Sequence, residues 1–347
     1  MPKDGRRDLM KRFLAIFLAI MMILSLCACG APAETPTDAE TEPARPTLPE
    51  NPKTLKVLTL GHSGTVDANH MLALVAAAEG YDGLTVGTLY HSGCRLAQHV
   101  KFLMDDAPEY NLYLSNSAKP APPTVMMDVT MKEALRYDNW DVILIQGQGF
   151  EMGVEANMKL GYIDIIMDYV NEHKLNPNAV FGWVTGWCSA TEPQLMDMYP
   201  YTPNTYYVNY EPYGTNRNNL YNVLIDRINT YILPDPRFAV IIHTGTTFEN
   251  ALSSYMTEFD LHRDYTHGTD YTRLMVAYVW YCRLMGIEQL EDIKQDTIPV
   301  KWFRSNTGLK DVVLTETEKN ILIESVNNSL KNPYEITQSQ YTEAPAK

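Results

Sequence analysis

The chain has 347 residues, of which 45% are hydrophobic and 20% are charged, and its formal net charge is −14 at pH 7. So acidic a chain repels phosphate backbones and anionic lipid headgroups, which argues against nucleic-acid binding and against membrane binding through the protein surface. On net charge alone, a neutral or cationic substrate fits better.

The first 28 residues are predicted to be a targeting signal rather than part of the fold. Basic residues precede an apolar stretch from Phe13 to Leu26, which is too short to span a bilayer comfortably. The run that ends in Cys29 resembles a bacterial lipoprotein signal, with cleavage before Cys29 and a lipid on its thiol. An ordinary secretory signal or an uncleaved anchor is the alternative. The lipoprotein interpretation predicts a lipid anchor on the extracytoplasmic face of the cell membrane, and this lipid as the only membrane contact.

The rest of the chain divides into a linker, one domain and a tail. Residues 29–54 are predicted to hold the lipidated cysteine and a disordered linker, because they are rich in proline and acidic residues. Residues 55–333 show neither an internal repeat nor a second linker, which favours a single domain. Residues 334–347 are predicted to be a disordered tail. The three cysteines of the domain have no Cys-x-x-Cys spacing and are predicted to be buried structural thiols.

Five short apolar runs predict β-strands, and amphipathic stretches predict helices. The predicted strands are 55–60, 84–90, 142–145, 179–185 and 238–242. The predicted helices are 67–79, capped by Asp67, then 127–137, 160–173, 218–232 and 270–285. This order predicts a three-layer α/β/α sandwich with a central, mainly parallel five-stranded sheet. In such sheets ligands bind at the carboxyl ends of the strands.

Two segments interrupt this alternation. Residues 110–123 are predicted to form a small excursion or hairpin. Residues 188–214 have no clear period but contain six tyrosines: Tyr199, Tyr201, Tyr206, Tyr207, Tyr210 and Tyr213. Aromatic faces pack well against sugar rings, so this stretch is a candidate sugar-binding surface, and a packed insertion is the alternative.

The residues that indicate chemistry lie near the two ends of the domain. Ser63 follows the first predicted strand, between Gly61 and Gly64, so that a sharp turn would present its hydroxyl at the ligand edge of the sheet. Asp264 and His267 have a spacing that lets the carboxylate orient the imidazole while the other ring nitrogen faces the serine. Each motif alone has an ordinary structural explanation, namely a strand-to-helix turn and a surface loop.

The order of these motifs resembles that of the SGNH (GDSL-like) hydrolases, and most closely a bacterial branch whose first block reads Gly-Asn-Ser-Phe. Five blocks between about residues 55 and 286 carry the resemblance: Gly61-His-Ser-Gly64 with Asp67, His91-Ser-Gly-Cys-Arg-Leu-Ala-Gln-His99, Trp140-Asp-Val-Ile-Leu-Ile-Gln146, Ile242-His-Thr-Gly-Thr246 and Arg263-Asp-Tyr-Thr-His267. The resemblance implies a flavodoxin-like SGNH hydrolase fold and a serine esterase that uses neither a cofactor nor a metal.

The resemblance also implies roles for individual residues. Ser63 would be the nucleophile, His267 the general base and Asp264 its orienter. The oxyanion hole would use the amide hydrogens of Ser63 and Gly93 with the side-chain amide of Gln146, in place of the family's usual asparagine. Further candidate substrate contacts are His62, Asp67, His99 and Gln148. The chain departs from the branch at His62 and Gly64, where the branch has asparagine and an aromatic residue, so the wall beside the nucleophile is altered.

Three functions fit these observations. The preferred hypothesis is an extracellular, lipid-anchored esterase that removes acyl groups, above all acetyl, from a small-molecule or polysaccharide ester. The second is a non-catalytic glycan- or solute-binding lipoprotein on the same scaffold. The third is metal-dependent hydrolysis through His262, Asp264 and His267 with His243, a plausible ligand spacing that leaves the serine block unexplained.

Overall fold

A central sheet of seven strands organises the protein. The computed structural model describes residues 45–50, 52–153, 155–192, 194–195, 217–302 and 310–345. The strands of the sheet are, in chain order, β1 (Leu55–Gly61), β2 (Leu84–Tyr90), β3 (Tyr110–Asn116), β4 (Thr124–Val129), β5 (Val142–Ile145), β6 (Val180–Val184) and β7 (Phe238–Ile242). Across the sheet they follow the order β4-β3-β2-β1-β5-β6-β7.

The five strands predicted from apolar runs form the parallel part of this sheet. Strands β2, β1, β5, β6 and β7 pair in parallel, with bounds within one residue of those predicted. The predicted count of five is too low. Strand β3 lies in the segment predicted as an excursion or hairpin, whereas β4 follows that segment and includes residues 127–129, which were predicted to begin a helix. These two strands extend the sheet antiparallel beyond β2. Strand β4 is exposed along most of its length, so its sequence lacks the continuous apolar run of a buried strand.

Helices cover both faces of the sheet. In chain order they are α1 (Ser63–Ala78), α2 (Leu96–Asp105), α3 (Met131–Tyr137), α4 (Gly149–Gly153), α5 (Glu155–Met158), α6 (Tyr162–His173), α7 (Arg217–Arg227), α8 (Thr244–Leu252), α9 (Glu258–Leu261), α10 (Asp270–Met285) and α11 (Glu316–Lys331). Helix α7 continues into a π-helical turn, Ile228–Ile232. A short antiparallel pair, β8 (Thr297–Ile298) and β9 (Val312–Val313), lies outside the main sheet.

The apolar core lies in two layers, one on each face of the sheet. Val142 and Leu144 of β5 belong to the layer that includes residues of α1, α8, α10 and α11. Ile143 and Ile145 belong to the layer that includes residues of α2, α3, α6 and α7. All four side chains are fully buried. The predicted three-layer α/β/α sandwich with a mainly parallel sheet is therefore confirmed.

The C-terminal residues differ from their prediction as a disordered tail. The amide of Tyr255 donates to the carbonyl of Tyr341 at 2.8 Å, and the amide of Thr337 donates to Oδ1 of Asn250 at 2.8 Å. Ser339 is only 4% exposed. The prediction is therefore wrong for residues 334–341, because polar groups of α8 and the residues just after it bind the backbone of a segment with few apolar residues of its own.

The cysteines of the domain are buried free thiols, as predicted. Cys94, Cys188 and Cys282 form no disulfide, and burial raises the pKa of Cys282 to about 12. The predicted signal segment and Cys29 lie outside the described residues. Within the part of the chain that the structure describes, no helix has the length and apolar character needed to cross a membrane.

Candidate active site

A cavity of about 560 Å³ opens at the carboxyl edge of the parallel strands. Its wall consists of the segments that follow β1, β2, β5 and β6, together with the loop that precedes α10, and Tyr113 of β3 and Arg273 of α10 complete it. Each of the first four segments begins where a buried apolar strand ends, which is where ligands bind in parallel sheets. Ser63, Gly93, Gln146 and His267 all line this cavity.

Ser63 is the first residue of α1 and follows directly on the turn after β1. The helix begins here rather than near Asp67, because His62 caps it: Nδ1 of His62 accepts from the amide of Gly64 at 3.1 Å. The first amides of a helix have no partner within the helix and carry its positive dipole end. The amide of Ser63 is therefore a hydrogen-bond donor at the N-terminal end of α1, where the helix dipole favours a negatively charged group.

The Asp264 and His267 side chains form a hydrogen-bonded pair. Nδ1 of His267 lies 2.9 Å from both carboxylate oxygens of Asp264. Oδ1 of the same carboxylate also accepts from the amides of Thr266 at 3.0 Å and His267 at 2.9 Å. Burial alone would raise the pKa of Asp264, but the bonds from the His267 ring and these two amides outweigh burial and lower it. Nδ1 is thus engaged with the carboxylate, so Nε2 is the ring nitrogen that would act as a base.

Asp67 connects the helix of the serine with the loop of the histidine. Nη1 of Arg263 donates to both oxygens of its carboxylate, at 3.0 and 3.1 Å, and Nε of Arg273 donates to Oδ1 at 2.9 Å. The amide of Gly268 donates to Oδ2 at 3.1 Å. Asp67 lines the cavity but is only 1% exposed, so the prediction that it contacts substrate gives way to a positioning role.

The three proposed oxyanion donors lie in the wall of one cavity. Gly93 has a φ of +61°, a left-handed conformation that favours glycine. Gln146 is oriented by Thr65, whose hydroxyl donates to Oε1 of Gln146. Because Oε1 is engaged, the amide nitrogen of Gln146 is left for the cavity. Gln148 also lines the cavity, and its Nε2 lies 3.6 Å from the point that a Cβ at position 93 would occupy.

Thr65 is a positioning residue that the sequence analysis missed. Its hydroxyl binds Gln146 and also accepts from the amide of His62 at 3.1 Å. Glycine at position 61 makes room for it, since a Cβ there would lie 1.9 Å from Oγ1 of Thr65. Thr65→Val keeps the shape and removes the hydroxyl, so for the ester hydrolysis hypothesised from the sequence we expect kcat to fall on the order of tenfold with little change in KM. Thr65→Ser should keep most of the rate, and an equal loss in both variants would contradict this role.

Glu151 holds together the two loops that carry Gly93 and Gln146. It is 2% exposed, and its two oxygens accept from the amide of Leu96, the first residue of α2, at 2.9 and 3.0 Å. Glu151 itself lies in α4, just after the strand that ends before Gln146. This carboxylate therefore fixes the start of α2 against the segment after β5.

Glu151 also predicts a pH dependence of stability. Burial raises its pKa above the ordinary value of 4.5, although the amides of Leu96 and Ala97 oppose the shift. The folded protein then retains a proton that the unfolded chain has lost, so stability falls as the pH rises through that window. We expect the free energy of unfolding of the wild type, relative to Glu151→Gln, to decrease from about pH 4.5 upward and then level off. Urea unfolding at a series of pH values measures it, and parallel curves would contradict the assignment.

The two predicted histidine contacts have different outcomes. His62 lines the cavity, and burial lowers its pKa to about 4, so its ring is neutral at pH 7. His99 does not line the cavity. It is fully buried, its Nδ1 lies 2.8 Å from the hydroxyl of Tyr110, and the two rings are stacked. The prediction that His99 contacts substrate is therefore wrong, since its ring is buried against Tyr110 and does not reach the cavity.

The described residues contain no cluster of side chains that matches the metal hypothesis. Among the described residues, no group of three or more His, Cys, Asp or Glu side chains is arranged to hold a metal ion. His262 is 1% exposed and packs against Phe248, with ring centroids 4.7 Å apart. His243 packs against Tyr334, with ring centroids 5.1 Å apart. Both rings therefore serve as packed side chains.

Four aromatic residues of the described part of the chain line the cavity. The tyrosines at positions 199–213 lie outside the described residues. The cavity itself is lined by Tyr90, Tyr113, Trp187 and Tyr265. Nε1 of Trp187 donates to the carbonyl of Thr266 at 2.9 Å, which fixes the ring beside the loop of His267. The position of Tyr90 at the end of β2 and of Trp187 shortly after β6 is the signal that could have identified them.

The fold and cavity define an α/β sandwich protein with a serine and a His-Asp pair at the ligand edge of its sheet. Residues 56–304 match the family described as "Domain of unknown function (DUF4886)", and the chain belongs to this family. The crystal structure of a DUF4886 family protein from Bacteroides uniformis is similar in fold. It has 22% sequence identity and a TM-score of 0.66, and the match covers 84% of this chain and 100% of that chain.

A second solved structure is more distant. It is a protein from Slackia heliotrinireducens described as a candidate SGNH hydrolase, with 14% identity and a TM-score of 0.40, and the match covers 67% of this chain and 99% of that chain. A likeness this slight carries no argument about function. Comparison with the curated proteins gave no match.

Proposed function

We propose that the protein is an SGNH-type serine esterase that removes acyl groups, above all acetyl, from carbohydrate. The observation that carries the proposal is that His267, which is paired with Asp264, lines the same cavity as Ser63. A serine hydroxyl is a weak nucleophile until a neighbouring base takes its proton, and the base needs a third group that fixes its tautomer. Asp264 is that third group, because its carboxylate binds the Nδ1 side of the ring.

The reaction follows from these positions. Ser63 Oγ attacks the ester carbonyl while Nε2 of His267 takes the hydroxyl proton. The amides of Ser63 and Gly93 and the side-chain amide of Gln146 stabilise the oxyanion. The carbon–oxygen bond to the sugar then breaks, and His267 returns the proton to the departing sugar hydroxyl. A water, activated by the same ring, releases the acyl group as a carboxylic acid and restores Ser63.

Carbohydrate is supported by the size and the lining of the cavity. A volume of about 560 Å³ lies in the range of small-molecule sites and holds one or two sugar units. The rings of Tyr90, Tyr113, Trp187 and Tyr265 present aromatic surface to it. Such faces pack against the C–H groups of sugar rings, while polar side chains of the wall bind the hydroxyls.

Two measurements on the purified full-length protein test the proposal. A fluorophosphonate should form an adduct on Ser63, identified by peptide mass spectrometry, because the reagent labels serines that a base activates. Acetylated oligosaccharides should release acetate. Labelling of another residue, or binding of saccharides without any release of acetate, would contradict the proposal and favour the non-catalytic glycan-binding alternative.

The location at the membrane is a separate proposal that rests on the N-terminal sequence. Lipidation of Cys29 would anchor the domain at the extracytoplasmic face of the cell membrane, with the proline-rich residues after it as a tether. Cys29→Ser is expected to release the protein from the membrane fraction. Unchanged membrane retention of this variant would favour an uncleaved anchor instead.

A further inference from the structure

The charged side chains that line the cavity are mainly positive, whereas the chain as a whole is negative. Three arginines line the cavity, Arg95, Arg263 and Arg273, whereas Asp67 is the one acidic residue among the described lining residues. The chain as a whole carries −14. Surface charges farther than about 8 Å away are largely screened at physiological salt. The groups of the wall therefore decide which charge the cavity accepts.

Asp67 does not present its negative charge to the cavity. Its carboxylate is 1% exposed, and both oxygens are occupied by the two arginines and the amide of Gly268. The guanidinium of Arg273 is largely occupied by the same hydrogen bonds, because its Nη1 also donates to Asp270 at 2.7 Å and its side chain is 9% exposed. Asp67 and Arg273 therefore stabilise the wall. The charge that the wall presents to the cavity comes mainly from Arg95 and Arg263.

Arg263 keeps part of its guanidinium for the cavity. Its side chain is 29% exposed, and its contacts to Asp67 and to the carbonyl of Gly268 are all made by Nη1. Nε of Arg263 lies 3.9 Å from Oδ2 of Asp264. A guanidinium has five donors, and those on Nη2 lie outside both sets of contacts. Arg263 directly precedes Asp264 in the chain, which places the charge next to the His267 pair.

Arg95 adds a second positive charge from another loop. It lines the cavity, is exposed, and lies two residues after the oxyanion donor Gly93. The two arginines thus come from the segments that carry the base and the oxyanion hole. Guanidinium groups bind carboxylates with two parallel hydrogen bonds, more strongly than neutral partners do.

We propose that the cavity selects an ester substrate that carries an anionic group, namely an acylated sugar with a carboxylate, which Arg263 and Arg95 bind. This inference rests on the proposed esterase function and names its substrate class. It reverses the expectation of a neutral or cationic substrate drawn from net charge, because the wall exposes arginines while its one carboxylate is covered. The aromatic rings of the cavity hold the sugar ring, and the arginines fix its orientation.

A matched pair of substrates tests the inference. One is a mono-O-acetylated methyl glucuronoside, and the other is the equivalent glucoside, which has a hydroxymethyl group in place of the carboxylate. For the full-length wild type we expect kcat/KM to favour the uronate by roughly tenfold, the effect of one hydrogen bond to a charged group. Arg95→Glu should abolish this preference, and Arg95→Lys should keep most of it.

Lys101→Glu is the control for net charge. It makes the same charge change on the exposed side of α2, outside the cavity wall, where Lys101 pairs with Asp105. It should leave the ratio of the two substrates unchanged. Arg263→Gln should lower the ratio as well, and the ratio is informative even where the variant loses part of its rate on both substrates.

The outcomes separate this inference from the proposed function. Hydrolysis of both glycosides at equal rates would overturn the inference and leave the esterase intact. A preference for the uronate that survives both Arg95→Glu and Arg263→Gln would also overturn it. If neither glycoside is hydrolysed, calorimetric titration of the wild type with methyl glucuronoside and methyl glucoside decides the binding preference: tighter binding of the uronate supports the anionic subsite, and equal binding overturns it.

Discussion

Ser63→Ala is expected to slow the hydrolysis of p-nitrophenyl acetate by on the order of 10⁴-fold or more. The variant keeps the cavity, the His267–Asp264 pair and the oxyanion donors, but it has no oxygen that can form the acyl-enzyme. The residual rate would come from transition-state stabilisation by the remaining donors, with water as the nucleophile. The measurement is the steady-state rate of the purified full-length protein, with thermal unfolding to show that the variant is folded.

Ser92→Ala is the matched control for Ser63→Ala. Ser92 also lines the cavity and is exposed, but it has no role in the proposed reaction. This variant should keep its rate within a few-fold of the wild type. Equal rates of Ser63→Ala and the wild type would remove Ser63 as the nucleophile, whatever the effect of Ser92→Ala.

Asp264→Asn is expected to reduce kcat by about 10³- to 10⁴-fold. The asparagine has the same shape, but it can present an N–H to Nδ1 of His267 and so favour the tautomer in which Nε2 carries the hydrogen. That tautomer cannot accept the proton of Ser63. The carboxylate also stabilises the imidazolium that forms during the reaction, and its lowered pKa keeps it ionised at neutral pH. A comparison of kcat and KM separates this effect from a loss of substrate binding.

Asp270→Asn controls for the loss of a nearby carboxylate. Asp270 lies six residues further along the chain and pairs with Arg273 rather than with the histidine. We expect it to affect stability more than kcat. A rate of Asp264→Asn within tenfold of the wild type would show that His267 does not depend on this partner.

The parallel part of the sheet could be predicted because its strands are buried on both faces. Such strands are continuous apolar runs, as in Val142–Ile145, and they are visible without any knowledge of their neighbours. Helix α8 could not be found in this way. It is buried nearly all round but contains three threonines and few apolar side chains, so its sequence lacks the apolar residues that mark a buried helix. Its polar groups find partners only in the folded protein, for example the hydroxyl of Ser329 for Thr247.

The candidate site could be predicted as far as it rests on motifs. Ser63, Gly93, Gln146 and His267 line one cavity, and His267 pairs with Asp264. The supports of these residues could not be predicted. The hydrogen bond from Thr65 to Gln146 joins residues 81 positions apart. Which two side chains meet there depends on how the two segments approach each other in the folded protein. Such an approach cannot be read from the local sequence, which is also why His99 was predicted to contact substrate and why the link that Asp67 makes between two segments was missed.

The network around Asp67 has a consequence for the order in which the site is completed during biosynthesis. Asp67 and Arg263 are 196 positions apart, and their pairing joins the first helix of the domain to the loop of the histidine. A nascent chain that ends before this loop contains Ser63 and the candidate oxyanion donors but has neither His267 nor Asp264. The proposed activity can therefore appear only after the loop at residues 263–267 has docked on Asp67.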